Sequence, residues 1–251
     1  MRAKKIIFTL VVGGIGGVLI GNFILPFLAE RSPFGLTSFF NIFVRPQVET
    51  VIKETKITIE PDFWRALVPQ AEKSVAVVQY FSSSRALISQ SNGIILTNDG
   101  IIVVPLNAVP KDFSVIQVFE NDKIVSGTLL ASDAVNNLAL IKIESLNLPI
   151  LAYSDLSNLT LGQSVLLVGK RIDISKPETY IYDSLISEID GQVLFLDLEK
   201  GQKRWPLSGT LAIDSNGKMA GMVQISNLGH VFVMPYGFLK NILDDYLADR
   251  T

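Results

Sequence analysis

The sequence predicts an all-β domain that closes with a helix and follows a single transmembrane helix. Three observations carry this. A dozen short apolar runs separated by turn signals follow Ser74, the stretch Ile6–Ala29 contains no charged residue, and the last residues place Phe238, Leu239, Ile242 and Leu243 on one face at helical spacing.

Taken in chain order, residues 1–5 supply the cations Arg2, Lys4 and Lys5, and 6–29 form the apolar span. That span can cross a hydrocarbon layer of about 30 Å as a helix. Cations before it, with Glu30 and Arg31 after it, predict a cytoplasmic N-terminus and an extracytoplasmic remainder at the cell membrane. The run is longer than a usual signal-peptide core, and Phe27-Leu28-Ala29 is a poor cleavage site, so an uncleaved signal-anchor is expected. Gly13, Gly17 and Gly21 recur every four residues, a spacing that lipid tolerates and that also suits helix pairing in a homo-oligomer. Residues 30–60 carry Pro33 and Pro46 without sustained periodicity and read as an extracytoplasmic linker. PDFWRALVPQAE (Pro61–Glu72) starts as a helix that Pro69 is expected to interrupt.

The runs after Ser74 are SVAVVQYF, GIILT, GIIVV, SVIQVF, KIVSGTLL, LALIKI, QSVLLVG, TYIYDSLISEI, QVLFLDL, TLAI, MAGMVQI and HVFVMP. Asn98-Asp99-Gly100, Asn121-Asp122, Asp190-Gly191 and Ser215-Asn216-Gly217 separate some of them and can supply the positive φ of hairpin turns. This spacing argues for a barrel or sandwich.

Composition narrows the chemistry. With 251 residues, 48% hydrophobic and 18% charged, the chain can bury a sizeable core. Its net charge is −2; once the three N-terminal cations are taken from the 22 basic residues, 19 face 24 acidic ones. No basic cluster suggests a nucleic-acid partner. The absence of cysteine excludes disulfides, thiol catalysis and cysteine-bound metal. One histidine, His230, stands in a predicted strand without a second ligand at metal-binding spacing, so no metal or other cofactor is expected. Asp214-Ser215-Asn216-Gly217 superficially suits calcium, but Ile225 stands where a closing glutamate belongs, which favours a hairpin turn. Trp64, Trp205 and the segment Phe34–Phe43 read as packing or membrane-interface residues.

Several stretches, in order, resemble the protease domain of the HtrA (Deg) family of trypsin-like serine peptidases. Ser91–Val109 (SNGIILTNDGIIVVPLNAV) is similar to GSGFIIS-x-DGYILTNNHVV, and Ala131–Ile143 (ASDAVNNLALIKI) to G-x-DPxxDLAVLKI. Ser154–Gly169 (SDLSNLTLGQSVLLVG) is similar to GDS-x-x-L-x-VGxxVxAIG, and Asp183–Ile189 (DSLISEI) to GIVSxI. Pro206–Met222 (PLSGTLAIDSNGKMAGM) is similar to GNSGGPLLNxxGxVIGI, and Val233-Met234-Pro235 with the final helix to the family's closing segment. The resemblance implies a two-barrel trypsin-like domain over 61–250, with barrel 1 at about 74–145, barrel 2 at about 150–235 and a closing helix at 236–249. It also implies a role in extracytoplasmic protein quality control. The family's usual PDZ module is not expected, because the resemblance ends at the closing helix.

The same resemblance lays out a broken active site. The family histidine falls on Asn107, its aspartate on Asn137 and its nucleophile on Ser208. A serine nucleophile needs a base to take its proton and an acid to orient that base, and asparagine has no useful basicity near neutral pH. One oxyanion-hole donor in the family is the backbone N–H two residues before the nucleophile; here that residue is Pro206, which has none. The expectation is a non-catalytic pseudoprotease that binds protein or peptide ligands or acts as a scaffold. Two alternatives stand beside it: a hydrolase in which Ser208 works with a non-standard base such as Lys200 or Lys203, and a structural spacer that oligomerises through its helix.

Overall fold

In the computed structural model, the described residues are 61–249 except 121–122, 173–175, 199–207 and 227. The predicted transmembrane helix and linker lie outside them. Among the described residues no helix is long and apolar enough to cross a membrane.

Helix α1 (Pro61–Lys73) leads into two closed six-stranded barrels. The first contains β1 (Val75–Phe81), β2 (Leu87–Ile95), β3 (Ile101–Pro105), β4 (Val115–Glu120), β5 (Lys123–Asp133) and β6 (Leu138–Ile143). The second contains β7 (Ser164–Ile172), β8 (Pro177–Asp190), β9 (Val193–Asp197), β10 (Leu211–Ile213), β11 (Met219–Ile225) and β12 (Val231–Pro235), and helix α2 (Tyr236–Ala248) closes the domain. Both barrels repeat one spatial order, 1-2-3-6-5-4 in the first and 10-11-12-9-8-7 in the second, closed by the pairs β1–β4 and β7–β10. All ladders are antiparallel.

The continuous apolar runs follow from this arrangement. Side chains alternate across a strand, and here both faces of several strands meet a core. In β3, Ile102 and Val104 point into barrel 1 while Ile101 and Val103 face the layer between the barrels. In β6, Ala139 and Ile141 point inward and Leu138 and Leu140 outward into that layer. In β7, Val165 and Leu167 fill barrel 2 while Leu166 and Val168 meet barrel 1. By contrast β5 and β8 have one solvated face and alternate in burial. Trp64 and Ala71 of α1, with Leu239, Ile242 and Leu243 of α2, cover the interbarrel layer.

Two expectations are corrected. Pro69 does not interrupt α1, which runs on to Lys73. Trp64 and Ala71, on either side of it, are 8% and 1% exposed. Their burial on the interbarrel layer outweighs the loss of one backbone bond at the proline. His230 stands one residue before β12 rather than within a strand. Its carbonyl and N–H bond the backbone N–H and Oγ of Ser226, closing the β11–β12 hairpin.

Leu140 is fully buried in the interbarrel layer. Leu140→Ala should lower unfolding stability by about 2–5 kcal/mol in chemical denaturation. A loss within 0.5 kcal/mol, the range of an ordinary surface substitution, would show that the layer is not the domain's shared core.

Candidate functional site between the barrels

Asn107 sits in the 3-10 turn Leu106–Ala108, directly after β3 ends at the buried Pro105. Asn137 ends the turn that joins β5 to β6. Asp133 builds that turn by accepting the backbone N–H groups of Val135 at 2.9 Å and Asn136 at 3.1 Å. Partial burial works the other way, yet the hydrogen bonds from Asn136 and Val135 hold the Asp133 carboxyl below its ordinary pKa. Asn137 takes φ +56, a left-handed conformation that asparagine adopts more readily than most side chains.

The two asparagines are brought together. The Asn107 N–H donates to Asn137 Oδ1 at 2.8 Å, and Leu106 N–H donates to the Asn137 carbonyl at 2.9 Å. Asn137 Nδ2 donates across the barrel seam to Gln224 Oε1 at 3.1 Å, and Gln224 Nε2 donates to the Asn136 carbonyl at 3.1 Å. This chain fixes both amide orientations, because a backbone N–H can only donate and a carbonyl can only accept. Gln224 is 3% exposed in β11. The arrangement is matched to a neutral amide at position 137: a carboxylate there would set an acceptor against Gln224 Oε1, and turning Gln224 over would set that oxygen against the Asn136 carbonyl.

Ser208 and Gly209 form a turn on the barrel 2 side of the seam. Gly209 takes φ +82, and its N–H donates to the Val223 carbonyl at 2.8 Å. A β-carbon on Gly209 would lie 2.4 Å from the Asn92 carbonyl oxygen and 3.0 Å from the Pro105 ring. Glycine is therefore required twice, for conformation and for close approach. Pro105 also leads into the turn that carries Asn107, so all three sites lie on one seam. The Ser208 hydroxyl oxygen is buried and has no hydrogen-bond partner among the described residues, none of which poises a base on it. Pro206, Lys200, Lys203 and Trp205 lie outside the described residues.

Beside this turn, four residues join the barrels. Asn92 Nδ2 donates to the Tyr180 hydroxyl at 2.7 Å, and Asn92 Oδ1 accepts the Lys170 N–H at 2.7 Å. The Tyr180 hydroxyl also shares a hydrogen bond with Thr210 Oγ1 at 3.0 Å. Burial pushes the Tyr180 phenol up to about 12, against the opposing hydrogen bonds of Thr210 and Asn92.

Asp214 accepts the N–H groups of Asn216 at 2.8 Å and Lys218 at 2.9 Å, tying the hairpin between β10 and β11. No group of three metal-ligating side chains occurs among the described residues. Cavities of about 290 Å³ beside His230 and about 620 Å³ between α1 and the barrels are not lined by Asn107, Asn137 or Ser208.

Residues 83–222, more than half of the sequence, match the family model of the trypsin-like peptidase domain. The chain belongs to this family. The HtrA resemblance of the sequence falls within it. No curated protein matches the chain significantly. Among solved structures, a serine endoprotease from Yersinia pestis is similar at TM-score 0.63 and 22% identity, covering 74% of this chain and 67% of its own. That likeness concerns the fold.

Sequence reasoning did not single out Gln224, Asn92, Tyr180 or Thr210 as part of this trypsin-like seam. Gln224 left one trace, a lone amide in the otherwise apolar MAGMVQI. Asn92 and Tyr180 are 88 residues apart, and no local pattern couples them.

Asn137→Asp should destabilise the domain near neutral pH and do so less in acid. Facing Gln224 Oε1, the carboxyl would have a folded pKa above its unfolded value. Stability is then fully present below the unfolded pKa and lost as pH rises through the folded one. Denaturation midpoints at acidic and neutral pH check this; equal losses at both would refute the matched-amide reading. For Tyr180 the unfolded chain, with an ordinary phenol near 10.0, loses its proton before the folded one at about 12. Stability should therefore fall between those pH values, and Tyr180→Phe should flatten the fall in alkaline denaturation curves.

Proposed function

We propose that this trypsin-like domain is a pseudoprotease: a binding or scaffold module, held by the N-terminal helix on the outer face of a cell membrane. The observation that carries the reading is the chain from the Asn107 backbone N–H through the Asn137 side chain to Gln224, in which both ends of the Asn137 and Gln224 amides are engaged and none of the groups is basic or acidic. Ser208, on the same seam, keeps a buried hydroxyl without a partner among the described residues. Proton removal from a serine hydroxyl needs a base within hydrogen-bond reach. Pro206 supports the reading further, since it lacks the N–H that the family uses to hold the developing oxyanion. Loss of one such donor slows acyl transfer by about a hundred- to thousandfold even where the rest is intact. The uncharged span Ile6–Ala29 and the cations before it support the membrane placement.

With the proton-transfer groups gone, what remains useful is a rigid two-barrel frame with a seam that can present backbone and side chains to a protein or peptide ligand. The detergent-solubilised full chain should neither cleave casein nor take up a fluorophosphonate probe. Covalent labelling at Ser208, abolished by Ser208→Ala, would overturn the inactive reading in favour of a Ser208-based hydrolase. The paired changes Asn107→His and Asn137→Asp should leave the chain inactive while Pro206 remains. Peptide cleavage by that double variant would show that the missing donor matters less than argued.

A further inference from the structure

We infer that Tyr180 is the positioning residue of the seam: through Asn92 and Thr210 it latches barrel 1 to the turn carrying Ser208 and keeps that hydroxyl buried. The latch has a defined anatomy. Asn92, 4% exposed, comes from β2 of barrel 1. Its side chain reaches across to two groups of barrel 2, the Tyr180 hydroxyl and the Lys170 N–H, both at 2.7 Å. Tyr180 passes the connection to Thr210 at 3.0 Å. Thr210 is fully buried, lies two residues after Ser208, and its carbonyl accepts the Val223 N–H at 2.8 Å.

The Tyr180 ring is itself fixed. It lies over Gly169, its cross-strand partner, where a β-carbon would come within 2.3 Å of the ring. Only glycine leaves room for the ring to lie across the strand towards the seam. The Asn92 backbone completes the device, since its carbonyl oxygen sits where a Gly209 side chain would begin. The one residue therefore touches the Ser208 turn by its main chain, and its side chain connects to Thr210 after that turn through Tyr180. In a buried setting such a chain is stiff, because opening it breaks hydrogen bonds whose members polarise one another. Opening the latch would uncover the Ser208 hydroxyl without unfolding either barrel.

This inference concerns the shape of the seam and holds whether or not Ser208 has chemistry, so its test is separate from the activity assay. Because the chain contains no cysteine, Ser208→Cys introduces a single reporter thiol. In the full chain, its reaction with a disulfide reagent such as 5,5′-dithiobis(2-nitrobenzoate) should be slow. Adding Thr210→Val should speed it by about tenfold, the effect expected when a hydrogen bond of ordinary net worth leaves an opening equilibrium, and Tyr180→Phe, whose hydroxyl bonds both Asn92 and Thr210, by at least as much. Thr210→Ser keeps a hydroxyl and should restore slow reaction. A control thiol from Val118→Cys, in the fully buried interior of barrel 1, should be unaffected by the latch variants. The inference is overturned if the thiol at position 208 already reacts at the rate of an exposed thiol. It is equally overturned if Thr210→Val and Thr210→Ser behave alike, or if both thiols accelerate together, which would mean general unfolding.

Discussion

The apolar layer between the two barrels is the constraint from which the rest of the domain follows. Ile101, Val103, Leu138 and Leu140 from one barrel meet Leu166, Val168, Leu211 and Met222 from the other. Each fully buried aliphatic side chain of this kind contributes roughly 1.5–3 kcal/mol. The layer obliges strands β3, β6, β7 and β10 to be apolar on both faces. It also gives α1 and α2 their seats, and it sets the distance across the seam. Asn137 with Gln224, and Asn92 with Tyr180 and Lys170, add polar contacts between the barrels.

That geometry lets a trypsin-like frame keep its shape with amide side chains at positions 107 and 137. The frame is held by burial, which asks nothing of positions 107, 137 and 208. Those positions are held by local devices: a 3-10 turn after Pro105, an aspartate-built turn before β6, and a glycine-dependent turn before β10. Asparagine at 137 has been absorbed into a hydrogen-bonded chain with Gln224, so that position is satisfied by a neutral side chain. A half-buried carboxylate would need a charged or strongly donating partner to be tolerated, and the Gln224 amide nitrogen is already turned to the Asn136 and Asn137 carbonyls at 3.1 and 3.5 Å.

Much of the strand pattern was legible in the sequence because burial on one or two faces leaves a period. LALIKI and MAGMVQI coincide with β6 and β11, and most other runs differ from their strands by a few terminal residues. The α1 boundary was misjudged at Pro69, because a single-residue rule about proline carries no information on the two anchors beside it. His230 fell outside its strand for a similar reason, as the hairpin is closed by Ser226 rather than by strand propensity.

By itself the sequence determined the all-β class, the single histidine, the lack of cysteine, and the amide side chains at the two positions where the family resemblance places an acid and a base. These are properties of residue identity and periodicity, readable without a partner. Only the tertiary structure decided that Asn107 and Asn137 share a hydrogen bond, that Gln224 completes their chain, and that Asn92, Tyr180 and Thr210 latch the seam beside Ser208. Such contacts join residues tens of positions apart, and their partners are chosen by how two closed barrels meet. No period along the chain encodes that meeting.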